Sequence, residues 1–353
     1  MAAPLPPTQR KVWFVFIEKR RVGAVALAAT ALVLALSSPA GADAAAPSPA
    51  PTAADHMATV WDPDGGQTMS ATETDAQAVL EDYWTAERMA AAEPVPSAVG
   101  ETGLDDELAP LATGETRNLS EPYRPADPGT MDEAHFSYTN GKVFFHDPSD
   151  GLDYVCSGGA VNSGSKRMVV TAGHCVNTGD GSDTWMQNWI FVPGYQNGDE
   201  PRGRFAAYWF DSSTGWTQDG SRTRDFAFVT TYDSGSGQLL VDAVGGHGLT
   251  VNPGHPYVHI AGYPGNHDNG QVQWNCWGTT TSWSSSDNGQ KLNCDFGGGS
   301  SGGPWLRDFG EDGLGYVVSD MHGIATDGSG DNYGPYYDDH VGDIYDIAAD
   351  RSP

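Results

Sequence analysis

From about Met131 to the C-terminus, short apolar or aromatic runs alternate with clusters of Gly, Asp, Asn and Ser, and this pattern constrains the fold more than any other feature of the chain. The runs are Lys142–Phe145, Arg167–Thr171, Trp189–Val192, Phe205–Phe210, Phe226–Thr230, Tyr257–Ile260, Gln271–Trp274 and Gly315–Val318. Their length suits strands rather than helices. Many short strands without helices between them predict an antiparallel sandwich or barrel. The 45 glycines and frequent Trp and Tyr fit such a turn-rich, all-β chain. A closing helix is predicted from about Asp338, with Asp338 or Asp339 as its cap. Val341, Ile344, Tyr345 and Ala348 share one face of it.

The first third of the sequence has a different texture. Lys19, Arg20 and Arg21 flank an uncharged apolar run, Val22 to Leu36, which is short for a membrane span. Ala40-Gly41-Ala42 and Ala42-Asp43-Ala44 then offer cleavage patterns. Residues 1–44 therefore read as a signal peptide for export. An uncleaved membrane anchor is the other reading. Residues 45–130 are rich in Ala, Pro, Thr and Glu and contain no cysteine. One helix is predicted over Thr72–Ala91, with Ala76, Val79, Leu80, Tyr83 and Trp84 spaced along one face. The rest reads as a flexible region or as a propeptide that silences the exported protein or helps it fold. Its place between the signal and the β-rich part favours the propeptide.

With 46 acidic against 18 basic residues, the formal charge is 18 − 46 = −28. Such a chain repels nucleic acid and anionic membrane, so neither is expected as a partner once the signal is removed. The four cysteines, at 156, 175, 276 and 294, allow three connectivities. Local pairing, Cys156–Cys175 and Cys276–Cys294, closes two short loops in an oxidising compartment. No zinc-type Cys/His spacing is present, and no metal or cofactor is expected.

The chemistry concentrates in Phe296-Gly-Gly-Gly-Ser-Ser-Gly-Gly-Pro304. Acyl transfer needs an exposed serine hydroxyl and backbone N–H groups aimed at the developing oxyanion. Glycines supply the backbone angles and the room. Ser300 and Ser301 both satisfy G-x-S-x-G, and a plain glycine-rich turn would look the same. Thr171-Ala-Gly-His-Cys175 follows an apolar run, and Cys156-Ser-Gly-Gly-Ala-Val161 precedes it.

With these motifs the chain resembles the chymotrypsin-like serine peptidases over roughly residues 135 to 350, and more closely the secreted bacterial members near the glutamyl endopeptidases. Gly141-Lys-Val-Phe-Phe145 and Ala261-Gly-Tyr-Pro-Gly265 look like that branch. The resemblance implies an all-β fold of two antiparallel six-stranded barrels with a C-terminal helix. The peptidase domain would span 131–353, its N-barrel about 131–240 and its C-barrel about 241–353. Gly299-Ser-Ser-Gly-Gly-Pro304 selects Ser301 as nucleophile, and His174 becomes the general base. Asp225, which opens the Phe226–Thr230 strand, is the expected third member; Asp211, Asp219 and Asp233 open no such strand. The N–H groups of Gly299 and Ser301 are the implied oxyanion hole. An α/β-hydrolase would need a later histidine such as His322 or His340, and a βαβ pattern that is absent.

Ser300 stands where trypsin-type zymogens carry the Asp that receives a freed N-terminus, so activation by that ion pair is not expected. Asp295, six positions before Ser301, and His322 are the specificity candidates, for basic and acidic substrates respectively. The expected protein is a secreted, extracellular, monomeric serine endopeptidase acting on proteins or peptides. A catalytically inactive binding module on the same fold and an esterase using the same triad are the rivals.

Overall fold

A computed structural model of the chain describes residues 53–61, 68–69, 73–96, 98–99, 114–126, 137–283 and 289–353. The signal-peptide segment lies outside the described residues. So do much of 45–130 and the start of the expected peptidase domain. No helix among the described residues is long and apolar enough to cross a membrane.

Six strands close into an antiparallel barrel. Asn140–Asp147 pairs with Leu152–Val161, and that strand with Met168–Thr171. Met168–Thr171 then pairs with Ala227–Thr231, which pairs with Phe205–Ser213. Gln187–Pro193 closes the ring between Phe205–Ser213 and Asn140–Asp147. Side chains alternate across each strand, and here both faces are covered. Val143, Phe145, Cys156, Val169, Phe191 and Val229 belong to one apolar cluster. Phe144, Val155, Ile190 and Val192 belong to a second, where they meet Ala76, Leu80, Tyr83, Trp84 and Met89. Two-sided burial is why these runs read as continuously apolar instead of alternating.

The expected Thr72–Ala91 helix forms as two pieces, Glu73–Tyr83 and Ala86–Ala91. Thr85 breaks them and caps the second, its hydroxyl oxygen accepting from Arg88 N–H at 3.2 Å. The fully buried Trp84 donates its indole N–H to the Asn188 carbonyl at 2.6 Å. Elsewhere in the expected propeptide region, Ala53–Met57 pairs antiparallel with Phe205–Ser213 and Arg117–Ser120 pairs with Gly248–Val251.

The C-terminal half is made of two sheets. The larger runs Trp274–Thr279, Tyr257–Gly262, Pro304–Arg307, Tyr316–Asp320, Gly248–Val251, Arg117–Ser120. The smaller runs Thr281–Ser282, Gln290–Asn293, Asp331–Gly334, Gly323–Ala325, Ala98–Val99. The closing helix is Asp339–Ala348, and its buried residues include Val341, Ile344, Tyr345 and Ala348. Asp338 is its cap and accepts from the N–H groups of His340 and Val341 at 3.1 and 3.4 Å. Both local disulfides are formed, Cys156–Cys175 and Cys276–Cys294. Gln271–Trp274 departs from expectation. Only Trp274 is in a strand, because the chain is still leaving the Asp268–Gly270 turn, where Asn269 has φ 52°.

Candidate active site

His174 sits in the short turn Gly173–Cys175, directly after the Met168–Thr171 strand. The turn is held from two sides. Cys175 is bonded to Cys156 on the neighbouring strand, and Thr171 Oγ1 donates to the Ser157 carbonyl at 2.9 Å. Gly173 has no room for a side chain: a Cβ there would lie 2.6 Å from the Trp216 ring and 2.9 Å from Asp225 Oδ1. That close approach brings the His174 backbone onto Asp225.

Asp225 follows the turn Arg222–Arg224 and precedes the Ala227–Thr231 strand. Arg224 grips Asp338 through both terminal guanidinium nitrogens, at 2.9 and 3.0 Å, which ties this turn to the cap of the closing helix. Asp225 is fully buried. Its Oδ1 accepts from the His174 N–H and its Oδ2 from His174 Nδ1, both at 2.7 Å. Its Oδ2 also meets His322 Nδ1. Burial alone would raise the Asp225 pKa. The charges and hydrogen bonds of the two imidazoles outweigh burial and hold its carboxyl well below the usual carboxylate range. With Nδ1 of His174 committed to Asp225, the other ring nitrogen is the one left for chemistry. Among the described residues, nothing hydrogen-bonds His174 Nε2.

The structure thus brings three of the sequence candidates together, His174, Asp225 and His322. His322 touches Asp225 with Nδ1 and packs its ring 5.5 Å from Trp283. Asp295 lies elsewhere. It is exposed, its φ is 55°, and its carbonyl accepts from Asn266 Nδ2 at 2.7 Å.

The glycine-rich loop separates the two serines. The Ser300 hydroxyl donates to the Gly297 carbonyl at 2.7 Å and so closes the loop on itself. Ser301 is buried, and its carbonyl accepts from Ser157 N–H at 2.7 Å. Gly302, at φ 77°, lies so near the histidine strand that a Cβ would come 2.1 Å from Thr171 Oγ1 and 2.7 Å from Ala172 N. Ser301 is therefore held beside the His174 turn. The Gly298 carbonyl accepts from Gly265 N–H at 2.8 Å. In a trans peptide the following N–H points the opposite way, so that of Gly299 faces away from Gly265. Ser157 Oγ fixes the next carbonyl, that of Gly299, at 2.9 Å.

Sequence reasoning missed three supports of this site. Ser157, hidden in the C-x-G-G phrase, bonds the glycine-rich loop by backbone and side chain. Asp320 and Tyr337 form a buried pair behind Asp225, with Tyr337 OH donating to Asp320 Oδ1 at 2.9 Å. Burial first, and the Asp225 charge second, push the Asp320 pKa well above the carboxylate range. Asp320 adjoins His322 by sequence, but no motif marked it. His174, Asp225 and His322 also offer ligand atoms within 4.8 Å of one another. Both Nδ1 atoms already face Asp225 Oδ2, so the set serves as a hydrogen-bond cluster. The grouping of His174 with Cys156 and Cys175 is closed to a metal by the disulfide.

A closed antiparallel barrel, a second β half and a buried aspartate holding a histidine define a protease-type hydrolase fold. No family model and no curated protein matches the sequence. Solved structures do match. The protease Anisep from Arthrobacter nicotinovorans is 34% identical with a TM-score of 0.57, covering 62% of this chain and 98% of its own. The thermostable serine protease AL20 from an extremophilic microorganism is 31% identical, also with a TM-score of 0.57, covering 61% and 99%. A Glu endopeptidase shares the fold at 20% identity and a TM-score of 0.50, covering 64% and 99%. The chain belongs to the chymotrypsin-like serine proteases.

Proposed function

We propose that this chain is a secreted serine endopeptidase that cuts peptide bonds through Ser301, His174 and Asp225. The observation that carries the reading is the double grip of Asp225 on His174, at the backbone N–H and at Nδ1. Ser301 attacks the scissile carbonyl while His174 Nε2 takes its proton and later returns it to the leaving amine. Asp225 holds the tautomer and stabilises the imidazolium. The N–H groups of Gly299 and Ser301 receive the oxyanion. The acyl-enzyme is then hydrolysed by water with the same proton traffic reversed.

Residues 1–44 are the signal peptide and 45–130 the propeptide in this reading, and the mature enzyme acts as a monomer on protein or peptide substrates. Ser300 supports activation without an N-terminal ion pair, because its hydroxyl is spent on Gly297. A fluorophosphonate probe on correctly processed protein tests the claim. Ser301 becomes labelled and Ser301→Ala does not; an unlabelled wild-type chain leaves only the binding-module reading. Casein digestion separates a peptidase from an esterase. A cleavage profile reads the specificity: cuts after Glu remove the Asp295 assignment, and cuts after Lys or Arg remove that of His322.

A further inference from the structure

Residues 93–96 lie across the nucleophile loop. Glu93 and Pro94 pair parallel with Tyr154 and Val155, and Val95 N–H donates to the Val155 carbonyl at 3.2 Å. A few residues on, Ala98 and Val99 pair with Ile324 and Ala325, again parallel. The first edge belongs to the closed barrel. The second belongs to the small sheet of the other half and begins directly after His322. Between these edges the segment presses on the glycines. A Cβ on Gly298 would lie 2.6 Å from the Val95 carbonyl oxygen, one on Gly265 2.9 Å from Pro94 Cγ, and one on Gly299 3.5 Å from Pro94 Cβ. Val95 and Pro96 also line a cavity of about 190 Å³ that reaches His174, together with Tyr154 and Met186.

A strand added to sheet edges is a general way of binding an extended peptide, with affinity from the main chain and selectivity from side-chain fit. The sequence Glu93-Pro-Val-Pro96 suits this. Proline fixes φ near −65° and carries no N–H, so the segment enters already extended and loses little freedom on seating. It is also tethered close by. Tyr83 OH donates to Asp153 Oδ1 at 2.6 Å, Arg88 pairs with the same carboxylate, and Trp84 is buried in the barrel's outer cluster. A short tether gives an effective concentration on the order of millimolar.

We propose that residues 93–96, together with Ala98 and Val99, occupy the peptide-binding cleft of their own chain, meeting the Tyr154–Val155 and Ile324–Ala325 edges and covering Gly298 and Gly299. The cleft is thereby assigned as a site for an extended backbone with small or apolar side chains above the loop. The segment shields Ser301 until it is cut away. This assignment rests on the serine-peptidase reading for its consequence, but the seating can be measured without it.

The test uses the full-length chain and the double variant Pro94→Asp/Val95→Asp, which puts two charges against the glycine loop. Hydrogen exchange over residues 91–99 and 152–156 reads the seating, and fluorophosphonate labelling of Ser301 reads the shielding. The proposal expects protected amides in the wild type, released amides in the variant, and labelling about 100-fold faster in the variant. Wild-type amides of 91–99 that exchange as fast as those of an unstructured peptide overturn it, whether or not the variant folds. Where the chains do label, rates within about twofold of each other overturn it as well. Protection that is released in the variant while neither chain labels upholds the seating and removes the serine-peptidase reading.

Discussion

Asp225→Asn is the sharpest test of the site. Asp225 accepts from the His174 N–H at Oδ1 and from two imidazole Nδ1 atoms at Oδ2. Asparagine keeps one acceptor and gains an NH2 group. With its oxygen retained on the His174 backbone, the NH2 faces Nδ1 of His174. The ring then turns to the tautomer with its proton on Nε2, where the general base needs a lone pair. The charge that steadies the imidazolium is lost too. Such a swap costs about 10⁴ in turnover in a Ser-His-Asp site, which is about 5.4 kcal/mol of transition-state stabilisation. The assay is kcat/KM on a peptide amide with processed enzyme, counted by active-site titration. A variant within tenfold of wild type refutes the assigned role. A linked stability measurement checks the electrostatics. The Asp225 pKa is depressed in the fold, so its ionised form contributes stability that is present above the ordinary carboxylate value of 3.8 and lost as pH falls below it. The difference in Tm between wild type and variant is therefore large at pH 7 and narrows in acid.

Ser300→Ala removes one hydroxyl bond to Gly297 and is expected to cost about 1 kcal/mol of stability with activity retained, whereas Ser301→Ala abolishes turnover; denaturant melts and kinetics on both variants check this. Asp320→Asn keeps an acceptor for Tyr337 and removes an acid whose pKa the fold raises. A raised acid binds its proton more tightly folded than unfolded, so wild-type stability falls as pH climbs from the unfolded value of 3.8 toward the folded one. The variant should gain Tm at pH 7 and little at pH 4, as a pair of calorimetric scans will tell. Replacing Cys276 and Cys294 by serine opens a loop whose ends are 18 residues apart, at a cost of about 3 kcal/mol; an unchanged chemical denaturation midpoint contradicts it. Trp84→Ala empties a large site under the barrel's outer cluster and should cost about 3–5 kcal/mol, read as a lower Tm of the uncut chain.

Strands whose two faces are both covered were legible because they are largely apolar without alternation: Lys142–Phe145, Trp189–Val192 and Phe205–Phe210 lie wholly inside observed strands. The closing helix was legible from its period and from Asp338, which does cap it. Strands interrupted by glycine and polar residues escaped. Leu152–Val161 contains Ser157, Gly158 and Gly159, and Asp331–Gly334 has one large apolar residue. Their pairing comes from neighbours distant in sequence, and no local pattern records that. At the site, His174 and Asp225 could be named because a turn and a strand opening leave marks in the sequence. The contact of His322 with Asp225, and of Pro94 and Val95 with Gly298, depends on tertiary proximity across some 97 residues and more.

The Cys156–Cys175 bond has a consequence for where the enzyme can be complete. It fastens the His174 turn to the strand whose Ser157 holds the glycine-rich loop. In a reducing compartment these two thiols stay apart, and the turn depends on non-covalent contacts such as those to Asp225. Oxidation welds the proposed general base, His174, to the same strand that steadies Ser301. The redox state of the surroundings thus acts as a quality check on how His174 and Ser301 are placed.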